Sequence, residues 1–352
     1  MNRRLSREIK IRDLVIGAGA PVAVQTMSNV PMTDSDAVLT QIKAMQAAGA
    51  KLVRVSVPDK TAVQTLAELR KKTDMPLCAD IHFDYRLAIA AAEAGADKIR
   101  INPGNIGSED RVRAVVEACR AHKVPIRIGV NGGSLEKEIV ARYGNTAEAM
   151  AESARYHASL LEKLGFYDIV ISVKSSDVRK TVEATRLIAA QCSYPLHLGV
   201  TEAGTENMGV IKSAVGIGAL LCDGIGDTIR VSLTADPVKE VTAGYNILRT
   251  LGLYEGGVEI ISCPTCARTR IDIISIAAEL ERLTANMKKN IKVAVMGCAV
   301  NGPGEARGCD IGIAGGNGEG LLFKNGEIIR KIPESEIISQ LIKEIEDFNG
   351  NE

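Results

Sequence analysis

Residues 77–102 read Leu77-Cys78-Ala79-Asp80-Ile81-His82-Phe83, then Asp84-Tyr85-Arg86-Leu87-Ala88-Ile89-Ala90-Ala91-Ala92-Glu93, then Ala94-Gly95-Ala96-Asp97 and Lys98-Ile99-Arg100-Ile101-Asn102. A short apolar run that closes on polar groups reads as a strand buried on both faces. The alanine-rich stretch reads as an amphipathic helix, and Gly95 follows where a helix end accepts a left-handed residue. The same phrase recurs from 22 to 233. It predicts strands over 22–28, 52–57, 77–83, 98–102, 126–131, 169–174, 196–201 and 228–233, and helices such as 36–48, 61–71, 86–93, 109–121, 147–164 and 178–190. Gly49 and Gly165 punctuate it as Gly95 does. Eight strand–helix units in about 250 residues fit a closed (β/α)8 TIM barrel. An open doubly wound sheet is the alternative, but no glycine-rich dinucleotide fingerprint follows the first strand.

The 352 residues leave room for a second, smaller domain. Apolar residues make up 46% of the chain and aromatics only 3%, so the core is aliphatic and rich in alanine. Lys plus Arg and Asp plus Glu are 43 each. Bulk charge therefore gives no reason to expect nucleic acid or an anionic membrane as partner. Residues 1–12 are charged, without an apolar signal core, and no later run is apolar for long enough to span a bilayer. A cytoplasmic protein with reduced thiols is expected. Its eight cysteines are then metal ligands or core residues rather than disulfides. Cys78, Cys119, Cys192 and Cys222 read as small core residues.

Near Gly252, Gly256 and Gly257 the texture changes, and we place a domain boundary there: barrel 1–251, small α/β module 252–352. The module is expected to hold a strand at 259–262, a helix at 271–287, a strand ending at 296, a glycine-rich hairpin over 310–332 and a helix over 334–348. Cys263-Pro264-Thr265-Cys266 sets two thiols one turn apart, and Cys298 follows the later strand. That layout suits a soft metal centre, either zinc or an iron–sulfur cluster. Cys298 lacks a Cys-x-x-Cys partner, which weighs against a structural zinc. Glu305 and Cys309 both stand close enough in sequence to be a fourth ligand.

In a parallel barrel, reactive groups collect at the C-terminal strand ends. Those ends carry Arg54, Asp80 with His82, Arg100 with Asn102, Arg127 with Asn131, Lys174, Thr201 with Glu202, and Arg230 with Ser232. Five cations from five strands would meet at one mouth. Asp80, Glu202 and Asp227 offset part of the charge. The surplus calls for an anion, and a diphosphate spreads its charge over more oxygens than one phosphate. The plainer reading is a set of structural ion pairs. His82 could be an acid or an orienting group. Glu202 could be a general acid or base, or the ion-pair partner of Lys174 or Arg230. Asn102 and Asn131 could be ordinary turn residues.

The strings Cys263-Pro264-Thr265-Cys266 and Cys298-Ala299-Val300-Asn301-Gly302-Pro303-Gly304-Glu305 resemble the bacterial 4-hydroxy-3-methylbut-2-enyl diphosphate synthase family. So do Val24-Gln25-Thr26-Met27, Asp80-Ile81-His82-Phe83, Arg100-Ile101-Asn102-Pro103-Gly104-Asn105 and Arg127-Ile128-Gly129-Val130-Asn131. The likeness covers essentially the whole chain, without the large insert of plant-type members. It implies a 4Fe-4S cluster held by Cys263, Cys266, Cys298 and Glu305, and it sets Cys309 aside. It implies 2-C-methyl-D-erythritol 2,4-cyclodiphosphate as substrate, opened and dehydroxylated reductively, with flavodoxin or ferredoxin as electron donor. It also implies a head-to-tail homodimer. Glu305 is then the weakest cluster ligand, and Glu202 with His82 handles protons. The rivals are a non-redox phosphosugar barrel with a structural zinc module and an iron–sulfur redox sensor.

Overall fold

The computed structural model of the chain describes residues 2–285, 287–300, 304 and 306–348. They form two compact units, Met1–Tyr254 and Glu255–Glu352.

The first unit opens with an antiparallel hairpin, β1 (Ile9–Ile11) and β2 (Leu14–Ile16). Eight parallel strands follow: β3 (Ala23–Met27), β4 (Leu52–Ser56), β5 (Leu77–Asp80), β6 (Lys98–Ile101), β7 (Ile126–Asn131), β8 (Ile169–Lys174), β9 (His197–Leu198) and β10 (Thr228–Ile229). They pair in the order β8-β7-β6-β5-β4-β3-β10-β9. A bridge between Ile171 and Leu196 joins the two ends, so the sheet closes into a barrel. Helices return the chain between strands: α1 (Ser35–Ala47), α2 (Lys60–Lys72), α3 (Tyr85–Glu93), α4 (Pro103–Ile106), α5 (Glu109–Ala121), α6 (Lys137–Tyr143), α7 (Ala147–Lys163), α8 (Val178–Gln191), α9 (Glu206–Cys222) and α10 (Pro237–Thr250).

Local chemistry sets the ends of these helices. The carboxylates of Asp34, Asp59, Asp84, Asp177 and Asp236 accept first-turn N–H groups of α1, α2, α3, α8 and α10. Gly49, Gly95 and Gly165 take positive φ just past α1, α3 and α7. Alternation along each strand then sorts the side chains. Val53, Val55, Ile99, Ile101, Ile126, Ile128, Ile169 and Ile171 belong to the main core, packed with apolar helix residues such as Leu66, Ala88 and Val115.

The other strand faces line the barrel interior. At its N-terminal end, Ala23, Leu52, Cys78 and Val170 pack with Ile9, Ile11 and Ile16 of the hairpin. The hairpin thus closes that end with aliphatic side chains. Its strands of three residues are too short to leave a period in the sequence. The predicted strands 196–201 and 228–233 are paired only over two residues each. Beyond β10 a side chain replaces a backbone acceptor, as Glu240 takes the Leu233 N–H.

The second unit contains β11 (Val258–Ser262), α11 (Ile273–Thr284), β12 (Ile291–Met296), β13 (Ile311–Gly315), β14 (Glu319–Lys324), β15 (Glu327–Pro333) and α12 (Ile337–Asp347). β11, β12 and β13 run parallel, and β14 and β15 extend the sheet antiparallel. The single hairpin expected over 310–332 is three strands. Asn325 and Gly326 both adopt positive φ, as a two-residue turn between twisted strands requires. Ile276, Leu280, Val293, Ile313, Leu341 and Ile345 form its core. Among the described residues, no helix is long and apolar enough to cross a membrane.

Ile11 is fully buried in the hairpin plug. Ile11→Ala should cost about 2–4 kcal/mol of unfolding free energy in a denaturant titration. A loss well under 1 kcal/mol would show that the plug is not part of the cooperative barrel.

Candidate active site: a cationic barrel mouth and a cysteine-bearing sheet edge

The aliphatic plug leaves the middle and C-terminal end of the barrel to polar side chains. Asp80, the last residue of β5, is buried at 2% exposure. Arg100 Nη1 donates to its Oδ1 at 3.0 Å, Arg54 Nε lies 3.5 Å from Oδ2, and His82 Nε2 lies 3.9 Å from Oδ2. Burial alone would raise the Asp80 carboxyl pKa. Arg54 and Arg100, with Arg127 and His82 behind them, overcome that and hold it below the usual carboxylate range.

Arg54 also donates from Nε and Nη2 to the Met27 thioether at 3.0 and 2.8 Å, and Arg230 Nη1 lies 3.6 Å from the same sulfur. Arg127, fully buried on β7, donates to the Ser172 hydroxyl at 2.9 Å. Burial pushes its pKa down to about 9, and Arg54 adds to the push. Lys174 Nζ lies 3.2 Å from His197 Nε2, whose Nδ1 is 2.8 Å from Thr228 Oγ1. Burial pushes the Lys174 ammonium well below its ordinary pKa, followed by the charges of Arg127, Arg230, Arg54 and Arg100. The five cations expected to meet therefore do meet. Two glycines make room for them. An added Cβ at Gly129 would lie 2.6 Å from Arg100 Nε, and one at Gly199 would lie 2.6 Å from Lys174 Nζ.

The charge balance is one-sided. Gln25 Nε2, Arg100 Nε, and Arg127 Nε and Nη2 are buried donors with no acceptor among the described residues. A pocket whose unsatisfied atoms are all donors is complementary to an oxygen-rich anion.

Some expected partners lie elsewhere. Asp227 sits at the opposite end of the barrel, before β10, where it accepts from Ser6 Oγ and Leu196 N–H. It offsets no charge at the mouth. The anion beside Arg230 is Glu240 of α10, at 3.2 Å, and the neighbour of Lys174 is His197, so neither partners Glu202. Glu202 is exposed after β9 with φ at +51°, an uncommon conformation for a non-glycine residue. Thr201 and Ser232 are half-buried beyond β9 and β10, Asn131 ends β7, and Asn102 is buried just past β6. Reading strand ends did not find Glu240, Lys98 or His197. Lys98 is fully buried on β6 and donates to Gln25 Oε1 at 3.1 Å. Its only sequence signal was a second cation two residues before Arg100.

In the second unit, Cys263 follows β11, and Gly297-Cys298 follows β12, its parallel neighbour. Adjacent strands thus bring both cysteines to one sheet edge. Gly297 N–H donates to Cys263 Sγ at 3.2 Å. Hydrogen bonds from Arg268 lower the pKa of the exposed Cys266 thiol. At Cys266 this favours the thiolate, the form that binds a soft metal. Among the described residues, no three Cys, His, Asp or Glu side chains stand grouped as a metal site. The donor chemistry of the three free cysteines nevertheless fits a thiolate-held cluster. Glu305 lies outside the described residues. Cys309 is packed among Ala294, Met296, Ala314 and Phe323. Cys222, read from sequence as a core residue, is exposed at the end of α9, where the helix turns its last residue outward.

Comparison with known proteins adds two kinds of likeness. A family described as GcpE TIM-barrel domain matches residues 6–245, and one described as GcpE protein C-terminal domain matches residues 259–347. A protein of Caldanaerobacter subterraneus subsp. tengcongensis named 4-hydroxy-3-methylbut-2-en-1-yl diphosphate synthase (flavodoxin) is 58% identical over 345 residues, covering 98% of this chain and 97% of its own. A protein of the same name from Clostridium perfringens is 54% identical over 347 residues, covering 98% and 99%. Among solved structures, dihydropteroate synthase from Stenotrophomonas maltophilia superposes with a TM-score of 0.52 at 16% identity, over 70% of this chain and 97% of its own. That likeness is one of barrel fold alone.

Lys98 supplies a test of the interior electrostatics. Burial pushes its pKa from 10.5 down to about 7. Between those values the folded state holds fewer protons than the unfolded one, so stability rises with pH across that window, and the burial penalty is complete below it. Lys98→Met should flatten this rise and increase the unfolding free energy near pH 6 by a few kcal/mol, read from urea melts at about pH 6 and pH 9. An unchanged pH slope would mean that Lys98 does not titrate in this window.

Proposed function

The chain belongs to the GcpE family, and on that membership we propose that it is a 4-hydroxy-3-methylbut-2-en-1-yl diphosphate synthase supplied with electrons by flavodoxin. Its substrate is 2-C-methyl-D-erythritol 2,4-cyclodiphosphate. Two electrons and two protons open the ring and release one water. The observation that carries the reading is identity of 58% across nearly the whole chain. The donor-rich barrel mouth supports the diphosphate in particular.

The barrel's own residues divide the work. Arg54, Arg100, Arg127, Lys174 and Arg230 grip the diphosphate oxygens, where forked guanidinium donors match phosphate geometry. Asp80 keeps Arg54 and Arg100 apart and aimed. Asn102, Asn131, Thr201 and Ser232 offer neutral hydrogen bonds to the rest of the ligand. Glu202 and His82 hold and deliver protons. His82 is half exposed beside Asp80, a position from which it can exchange protons with water. Filling the mouth with ligand excludes water and strengthens each of these contacts.

The second unit is assigned a 4Fe-4S cluster, held by Cys263, Cys266, Cys298 and Glu305. When bound, it would supply electrons singly and a Lewis-acidic iron. The assembly is taken as a cytoplasmic homodimer.

Anaerobically purified protein should be brown, with broad absorption near about 400 nm, and should convert the cyclic diphosphate with a chemical reductant. Colourless, iron-free protein that turned over would end the proposal. Arg100→Ala should keep the colour and lose turnover by about a hundredfold or more, because the lost donor lies in a desolvated site. Normal turnover in that variant would remove the mouth from the reaction. Glu305→Cys should retain a cluster and depress turnover, as a thiolate releases iron less readily than a carboxylate.

A further inference from the structure

Arg230 is held differently from the other cations of the mouth. Asp80 lies inside the barrel, but the anion beside Arg230 is Glu240, one turn into α10 on the outer layer. Arg230 Nε donates to Glu240 Oε2 at 3.2 Å, and Nη2 donates to Oε1 at 3.3 Å. The same carboxylate accepts from Thr26 Oγ1 at 3.0 Å and from the Leu233 backbone N–H at 3.0 Å. Glu240 is 3% exposed and thus buried with its four bonds satisfied.

These bonds occupy one edge of the guanidinium. β3 and β10 pair only as far as Val24 and Ile229, and Arg230 lies just beyond, where the two strands part. Its remaining nitrogen, Nη1, is on the Met27 side, 3.6 Å from a sulfur that also receives Arg54. A thioether is a weak acceptor and yields to a phosphate oxygen. The carboxylate thus turns Nη1 toward the interior and fixes its approach. Burial and Arg54 both disfavour charge on Arg230, and Glu240 opposes them.

We propose that Glu240 is a positioning residue for substrate binding, a carboxylate outside the barrel wall that aims Arg230 at the diphosphate and ties it to the ends of β3 and β10. This rests on the diphosphate reading of the mouth. Glu240 touches no ligand itself, so its effect passes through Arg230.

The test is a double-mutant cycle on full-length, cluster-loaded protein. Binding of the cyclic diphosphate and of inorganic pyrophosphate is measured by calorimetry, with kcat and KM from the anaerobic assay. Glu240→Gln should weaken binding of both ligands and raise KM by about tenfold to a hundredfold, while kcat falls by less than about threefold. Glu240→Asp should recover part of the loss. With Arg230→Met already present, Glu240→Met should add nothing to the loss. This double variant replaces a buried ion pair by apolar side chains, a change folds tolerate, and so gives a folded reference even if Glu240→Gln is unstable. Unchanged binding in Glu240→Gln would overturn the proposal, as would a further loss on adding Glu240→Met to Arg230→Met. Wild-type protein that bound neither ligand would overturn the diphosphate reading and this proposal together.

Discussion

A single buried carboxylate, Asp80, stands among cations that would otherwise repel one another. Arg54 and Arg100 contact it, and Arg127 adds its charge nearby. Guanidiniums in a protein interior need counter-charge or hydrogen-bond acceptors, because desolvation and repulsion both oppose their burial. Asp80 supplies part of that need within the barrel, and Glu240 supplies more from the helical layer. The donors left over define what the site lacks, which is oxygen.

This arrangement depends on how the barrel is filled. TIM barrels ordinarily pack their interiors with branched aliphatic side chains. Here that packing is confined to the N-terminal end, where Ile9, Ile11 and Ile16 join Ala23, Leu52, Cys78 and Val170. Above it stand Gln25, Lys98, Arg127 and His197, all nearly inaccessible to solvent. The hairpin thus provides apolar burial that the inner strand faces lack. Gly129 and Gly199 serve the same economy of space, since a methyl group at either would collide with a cation. In the smaller unit, parallel pairing of β11 with β12 brings Cys263 and Cys298 to one edge, and a backbone N–H already points at the first sulfur.

Much of this was legible in the chain. The repeating strand–helix–glycine phrase specified a barrel, because alternation and helical period are local properties. Arg54, Asp80, Arg100, Lys174 and Arg230 could be assigned to one mouth, because a parallel barrel gathers its C-terminal strand ends whatever the loops do; Arg127 was read with them, but it stands second in β7 and reaches the cluster from deeper in the barrel. Partners were harder to read. Asp227 looked like a mouth residue because it adjoins a strand, but it precedes that strand and falls at the other end. Glu240 lies one turn inside a helix, where a carboxylate ordinarily faces water. Lys98 and His197 open their strands, away from the C-terminal ends, and nothing local tells whether such a side chain faces core or cation. Cys222 was misread for the same reason, since exposure at a helix end depends on what packs there.

Periodicity, capping residues, glycine placement and the cysteine strings are encoded along the chain, so the sequence alone determined the eight repeated strand–helix units, the small α/β module and the family resemblance. Which anion faces which cation is a matter of approach across tens or hundreds of residues, as between Ser6 and Asp227 or Thr26 and Glu240. Coulomb and hydrogen-bond energies depend on distance and burial, and neither exists until the sheet has closed. Only the tertiary structure could therefore decide that Asp80 is the interior counter-charge, that Glu240 reaches Arg230 from outside, and that the remaining donors lack an acceptor among the described residues.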